Sequence, residues 1–507
     1  MKYSNPVIPG FHPDPSICRV GDDYYLVTSS FEYFPGLPLF HSRDLVHWRQ
    51  IGHALTRASQ LPLSGARSSG GIYAPTLRFH EGTFYIITTN VTGGGHFLVT
   101  ALDPVGEWSE PVWLEGGGID PSLFFDSDGK VYFSYTSGGI LQREIQLPSG
   151  QVGEERLVWQ GTGGQYPEGP HLYRIGDLYY LLISEGGTEY GHMLTIARSQ
   201  NPGGPFVSCP RNPILSHRSM SSPIQATGHG DLIQDGNGAL WVVFLGIRPN
   251  GHWPYHHLGR ETFLAPVQWE ADGWPTIGEG GKVALSMSGP LPSPHSWPAE
   301  TERDNFEHSR LGPDWNFLRN PDPGRWSLTE RPGWLRLRGS SVSLDEAASP
   351  AWVGRRQEHF NVCVTTRLEF ASESDHECAG MTVWMNERHH YDLFLSLRDG
   401  KRCLIVRRRI GSLMAEVSRR EVGSGAVILR VDADRTTYRF FGGNDAGALV
   451  ELAAGETRYV ATETAGGFTG VYVAMFSSGN GAACGSPADF DWFEYRPVAE
   501  QAAPLPG

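Results

Sequence analysis

Three carboxylates stand at the head of one repeated unit in this chain, and that shared place is the first sign of chemistry. Asp14 opens Asp-Pro-Ser-Ile and leads, after a turn, to Tyr24-Tyr-Leu-Val. Asp120 opens Asp-Pro-Ser-Leu-Phe-Phe and leads to Val131-Tyr-Phe. Glu168 opens Glu-Gly-Pro-His-Leu-Tyr and leads to Tyr179-Tyr-Leu-Leu. Two further copies begin at Ala74 and at His229. The leading residue lies 11 or 12 positions before an aligned aromatic (Tyr25, Tyr85, Tyr132, Tyr180, Trp241) in each of the five copies. If the copies are arranged around an axis, equivalent positions face it, and three carboxyl groups and an imidazole converge. Like charges and burial raise carboxyl pKa values, so such a cluster holds one group protonated while another stays ionised. That is the condition for acid–base chemistry, and glycoside hydrolysis uses a carboxylic acid and a carboxylate on either side of one sugar.

The elements that must position these groups are short strands. Each copy reads leading residue, apolar run, turn, apolar run, with turns such as Val20-Gly-Asp-Asp and Asp235-Gly-Asn-Gly that suit tight hairpins. Asp126-Ser-Asp-Gly belongs to the same class of turn and lacks the rest of a calcium-loop pattern. The aligned aromatics recur at 60, 47, 48 and 61 residues, the range of propeller blades. Residues 1–290 therefore read as a five-bladed β-propeller. A Pro/Ser-rich stretch over 291–303 reads as a linker, and 304–497, with short alternating runs such as Trp334-Leu-Arg-Leu-Arg, as a β-sandwich. Residues 498–507 read as a loose tail. The expected class is all-β throughout.

Composition narrows the partners. At 507 residues the chain is long enough for more than one domain, and its net charge of -14 disfavours nucleic acid and anionic membranes while suiting a neutral substrate. No apolar run is long enough to span a bilayer, and the first ten residues have no signal-like apolar core. The six cysteines show no metal-site spacing and read as free or buried thiols. Together these features give a cytoplasmic expectation.

The stretches Asn5-Pro-Val-Ile-Pro-Gly-Phe-His-Pro-Asp-Pro-Ser, Gly71-Ile-Tyr-Ala-Pro-Thr-Leu-Arg, Gly118-Ile-Asp-Pro-Ser, Glu168-Gly-Pro-His, Gly228-His-Gly-Asp and Leu258-Gly-Arg-Glu-Thr together resemble glycoside hydrolase family 43, in particular its two-domain β-xylosidases and α-L-arabinofuranosidases. The resemblance implies an inverting, exo-acting hydrolase of xylo- or arabino-oligosaccharides. It implies Asp14 as general base, Glu168 as general acid and Asp120 as the group that tunes and orients the acid. It implies Phe31, Tyr73 and Arg260 around the sugar, and His229 at the propeller centre with a calcium ion held directly or through water. No cofactor is implied for the chemistry, and the C-terminal region is similar to the family's concanavalin-like sandwich, with the Ser477–Ser486 loop expected to help close the pocket. Tyr73 departs from the Trp of several family β-xylosidases, which leaves xylose against arabinose open. Homo-oligomerisation is likewise left open. The alternatives are a retaining fructosidase-type hydrolase and a non-catalytic sugar-binding propeller.

Overall fold

The structure, a computed structural model, describes residues 1–299, 301–444 and 449–499. Residues 500–507 of the expected tail lie outside the described residues. The chain divides into two compact units, one of residues 1–249 and 260–297, the other of 250–259 and 298–507.

Five antiparallel sheets of four or five strands make up most of the first unit. Their innermost strands are Ser16–Val20, Thr76–His80, Ile119–Phe125, Glu168–Ile175 and Gln225–Gln234. Each is followed by a second strand across a hairpin, and the innermost strands touch their neighbours in cyclic order, the fifth returning to the first. That is a closed five-bladed propeller. The second strands carry runs without alternation because both faces are covered by adjacent blades. In Leu240–Ile247, for instance, every residue after the first is buried. Each fully buried apolar side chain of such a strand contributes about 1.5–3 kcal/mol.

The ring is sealed by its two ends. Val7 and Ile8 donate to Thr262 O, Thr262 Oγ1 donates to His12 O at 2.7 Å, and His12 N donates to Arg260 O at 3.0 Å. Lys2–Ser4 pairs with Ser286–Ser288. The stretch expected to be a linker is fastened to blade 1: Trp297 Nε1 donates to His47 O and Arg49 stacks 3.9 Å over the Trp297 ring.

The second unit is a two-sheet sandwich. One sheet runs Trp326–Ser327, Leu335–Arg338, Pro487–Pro497, Val362–Phe370, Val427–Ala433, Thr437–Gly443, Val450–Glu456. The other includes Leu413–Glu421, Lys401–Ile410, His389–Arg398, Cys378–Asn386, Tyr472–Ser478 and Ala351–Arg356. Residues 250–259, expected inside the propeller, group with this unit. Their hydrogen bonds explain it: His256 N donates to Glu463 Oε2, Thr462 N to His256 O and Val471 N to His257 O. The Ser477–Ser486 loop is held by Gly479 N on Ser340 O and Gly485 N on Glu377 Oε1. All six cysteines are free and five are buried. Among the described residues no helix is long and apolar enough to cross a membrane.

Candidate active site

Three of the five innermost strands begin with an irregularity that presents the leading side chain. The ladder slips between Ile119 and Ser122, between Glu168 and His171, and between Gly228 and Asp231. Such bulges re-aim side chains next to active sites. The aligned aromatics stand opposite Cys18, Arg78, Phe124, Tyr173 and Ile233. Four residues before these lie Asp14, Ala74, Asp120, Gly169 and His229. Asp14, Asp120, Gly169 and His229 share left-handed backbone, with φ of 55°, 55°, 58° and 47°.

Glu168 therefore does not occupy the repeat's leading position, as the spacing had suggested; Gly169 does, and Glu168 stands one residue earlier. The hairpin of blade 4 turns over two residues (Ile175 pairs with Leu178), whereas those of blades 3 and 5 turn over five (Phe125 with Val131, Gln234 with Leu240). Counting back an equal distance from the aromatic overshoots by one. Gly169 suits the leading position for two reasons. Its φ is positive, and a Cβ there would come 3.1 Å from the His229 ring.

The three carboxyls and His229 form one cluster. Gly169 N donates to Asp120 Oδ2 at 3.1 Å, and His229 Nδ1 lies 3.7 Å from Asp14 Oδ1. Arg260 Nη1 donates to Asp14 Oδ1 at 2.7 Å, and Ser29 Oγ donates to Asp14 Oδ2. Burial alone would raise the Asp14 pKa, but Arg260, His229 and the Ser29 hydroxyl outweigh it and hold the carboxyl below its usual range. Asp120 is pushed up to about 6, chiefly by burial and further by the Asp14 charge. Glu168 is raised well above the ordinary glutamate value by burial, then by Asp120 and Asp14. Its side chain is 14% exposed against 5% for Asp14, so the protonated carboxyl is the more open of the two.

Beside this cluster lies an aromatic wall. The Phe31 ring is 5.1 Å from that of Tyr73 and 5.7 Å from that of Phe11, and the Arg260 guanidinium lies 5.6 Å from the Phe31 ring centre. Tyr73 OH donates to Ser69 O at 3.1 Å. Gly71 makes this approach feasible: a Cβ there would meet Phe31 O at 2.2 Å. Asp14, Asp120, Glu168, His229, Arg260, Phe31 and Tyr73 are thus brought into one neighbourhood of the first unit.

His229 is a poor anchor for calcium by direct ligation. Calcium takes six to eight oxygens. The nearby Asp14 oxygens already accept from Arg260 and Ser29, and among the described residues no group of three or more His, Cys, Asp or Glu side chains is arranged to hold a metal.

Several participants lie outside the repeat's leading position. Asp231 accepts from Ser16 Oγ at 2.6 Å, Arg78 Nη1 at 2.7 Å and Tyr173 OH at 2.6 Å, and Arg78 Nη2 is 2.9 Å from His171 Nδ1. This network underlies the carboxyl cluster from four blades. Ser16, His171 and Asp231 each stand two residues after the leading position, a periodic signal present in the sequence. His192 also borders the cluster, with Nδ1 3.8 Å from Glu168 Oε1. It belongs to no repeat position. Its only sequence trace is Gly228, where a Cβ would come within 2.0 Å of the His192 ring.

Comparison with known proteins agrees with this architecture. The family model "Glycosyl hydrolases family 43" matches residues 3–275, and "Beta xylosidase C-terminal Concanavalin A-like domain" matches 303–496. The chain is 48% identical over 505 residues to the "Non-reducing end alpha-L-arabinofuranosidase BoGH43B" of Bacteroides ovatus, covering 97% of this chain and 94% of that protein. It is 39% identical over 519 residues to a "Xylosidase/arabinosidase" of Butyrivibrio fibrisolvens, covering 98% and 99%. Among solved structures, "Bacteroides ovatus Xyloglucan PUL GH43B" superposes with a TM-score of 0.95 at 47% identity, covering 98% of this chain and all of that one (100%). A propeller carrying three ordered carboxyls, a concanavalin-like second unit and full-length relatives of one kind lead to one placement: the chain belongs to glycoside hydrolase family 43.

Proposed function

We propose that the protein is an inverting exo-glycosidase that releases terminal α-L-arabinofuranosyl or β-D-xylosyl residues from short oligosaccharides. The observation that carries this reading is the cluster of three carboxyls in which Asp14 is paired with Arg260 at 2.7 Å and Glu168 is buried beside Asp120 and Asp14, an arrangement that favours an ionised Asp14 and a protonated Glu168. Asp14 takes a proton from water as the water oxygen attacks the anomeric carbon. The bond from that carbon to the leaving oxygen breaks, its electron pair stays on the oxygen, and Glu168 supplies the proton. Asp120 steers Glu168 through Gly169 N and through its charge. An inverting pair stands roughly 6.5–9.5 Å apart, leaving room for the water. Arg260 holds Asp14 ionised and therefore free to accept the proton, and Phe31 with Tyr73 offers an apolar wall to the sugar ring.

A calcium ion held through water beside His229 stays an implication of the family resemblance and is given no step in the reaction. The arabinosyl half of the proposal draws on the relative 48% identical to this chain, and the xylosyl half on the "Xylosidase/arabinosidase". Neither the retaining fructosidase-type alternative nor the non-catalytic binder gains support from the relatives. A cytoplasmic site of action fits the six free thiols. The test compares kcat/KM on nitrophenyl α-L-arabinofuranoside and β-D-xyloside for the protein and for Asp14→Ala and Glu168→Ala, with product anomers followed by NMR. Loss of turnover in both variants and an inverted first-formed anomer are expected. Full activity in either variant, or a retained anomer, would sink the proposal.

A further inference from the structure

His192 has no part in the steps above, yet it stands against the acid. It immediately precedes the Met193–Ser199 strand of blade 4, and its N–H closes a turn onto Glu189 O at 3.0 Å. Its side chain is fully buried, at 0% exposure. No side chain hydrogen-bonds either ring nitrogen, and the one backbone partner acting on the ring is Gly187. The polar groups around the ring are Glu168, 3.8 Å from Nδ1, together with Asp14, His229, Arg260 and the Gly187 backbone. Burial keeps the imidazole neutral, with its pKa held down to about 3. A buried polar ring without good partners costs free energy, and an apolar ring would fill the same space without that cost. The glycine at 228 that makes room for the ring adds to the sense of a built contact.

We propose that His192 is a positioning residue for the acid, its Nδ1–H taking up the negative charge that develops on Glu168 as the proton leaves for the glycosidic oxygen. The inference rests on Glu168 being the acid. At rest the 3.8 Å separation is too long for a hydrogen bond, so the contact does little to the protonated carboxyl. On ionisation Glu168 becomes a buried anion beside Asp14 and Asp120, and a shift of about 1 Å brings the imidazole N–H into range. An interaction that strengthens only as the reaction proceeds raises kcat.

The experiment uses two substrates with the same terminal sugar. A nitrophenyl glycoside leaves with little protonation, whereas a disaccharide needs the acid. His192→Phe is expected to lose about tenfold or more in kcat on the disaccharide and less than about threefold on the nitrophenyl glycoside, with KM little changed. His192→Asn, whose amide falls near the Nδ1 position, is expected to recover most of the loss. His192→Gln, whose amide falls near Nε2, is not. Equal loss on both substrates, or no loss, overturns the inference. Glu168→Gln separates the two layers: it must show the same leaving-group dependence more strongly. If it shows none, the acid assignment fails; if it does and His192→Phe does not, only the role of His192 fails. Should His192→Phe not fold, the Asn and Gln variants carry the test, and identical behaviour of the two overturns the inference.

Discussion

Asp14 is ionised because of what surrounds it rather than because of its own chemistry. Burial works against the charge, and Arg260, His229 and Ser29 together reverse that effect. The sign of one change follows directly. Arg260→Leu removes the nearest cation, the carboxylate loses stabilisation, and its pKa rises. The acidic limb of the kcat/KM profile, which reports the base, is expected to move to higher pH by about one unit or more. Arg260→Lys, with a point charge in place of a planar fork, is expected to move it less. An unmoved acidic limb in Arg260→Leu would show that another group sets it. Asp14 and Asp120 were legible from sequence because each heads a copy of the same motif, and Glu168 because it stands one residue before the head of another. Ser29 and His192 were not, since Ser29 follows the Asp23–Val27 strand and His192 precedes Met193–Ser199, both in connecting stretches outside the motif.

At the scale of the strand, the hairpin pattern announced itself but its register did not. Turns of two and five residues look alike when only apolar runs are counted, and Glu168 was placed one position late for that reason. The glycines beside the site record the close approaches better than the apolar residues do. Gly228→Ala would drive a Cβ to within 2.0 Å of a buried imidazole and is expected to cost about 1–3 kcal/mol along with a fall in kcat. Gly21 makes a useful control: its φ is +63° but a Cβ there meets nothing within 4 Å. Gly21→Ala is expected to cost about 1 kcal/mol with kcat unchanged. Equal effects on kcat would mean that crowding at His192 has no bearing on turnover. In the second unit the alternating pattern was legible: Trp334-Leu-Arg-Leu-Arg contains the strand Leu335–Arg338. The 250–259 excursion was hidden because its partners, Glu463 and Val471 among them, are some 200 residues away in sequence.

At the scale of the whole propeller, Asp231 joins four blades at the axis. Burial would raise its pKa, but Arg78, His171 and the Ser16 hydroxyl hold it far below the usual carboxylate range. A carboxylate depressed in the folded state contributes stability above its unfolded pKa of roughly 3.9, and that contribution fades as pH falls through the folded value. Asp231→Asn leaves Arg78 without its counter-charge and is expected to lower stability by about 3–5 kcal/mol at pH 7. Denaturant titrations should show the gap between the two proteins narrowing below about pH 4. A gap that stays constant to low pH would mean that charge is not its source. The seam of the ring has a consequence for how the enzyme is made. Asp14 lies in blade 1, and Arg260, which keeps it ionised and whose carbonyl accepts from His12, follows 246 residues later. The nascent chain carries its base through four blades of synthesis before the guanidinium exists, so a polypeptide stopped short of blade 5 lacks both Arg260 and His229, which offset the burial of Asp14 in the folded site. Catalytic competence arrives with closure of the ring, which makes turnover a reporter of a closed propeller.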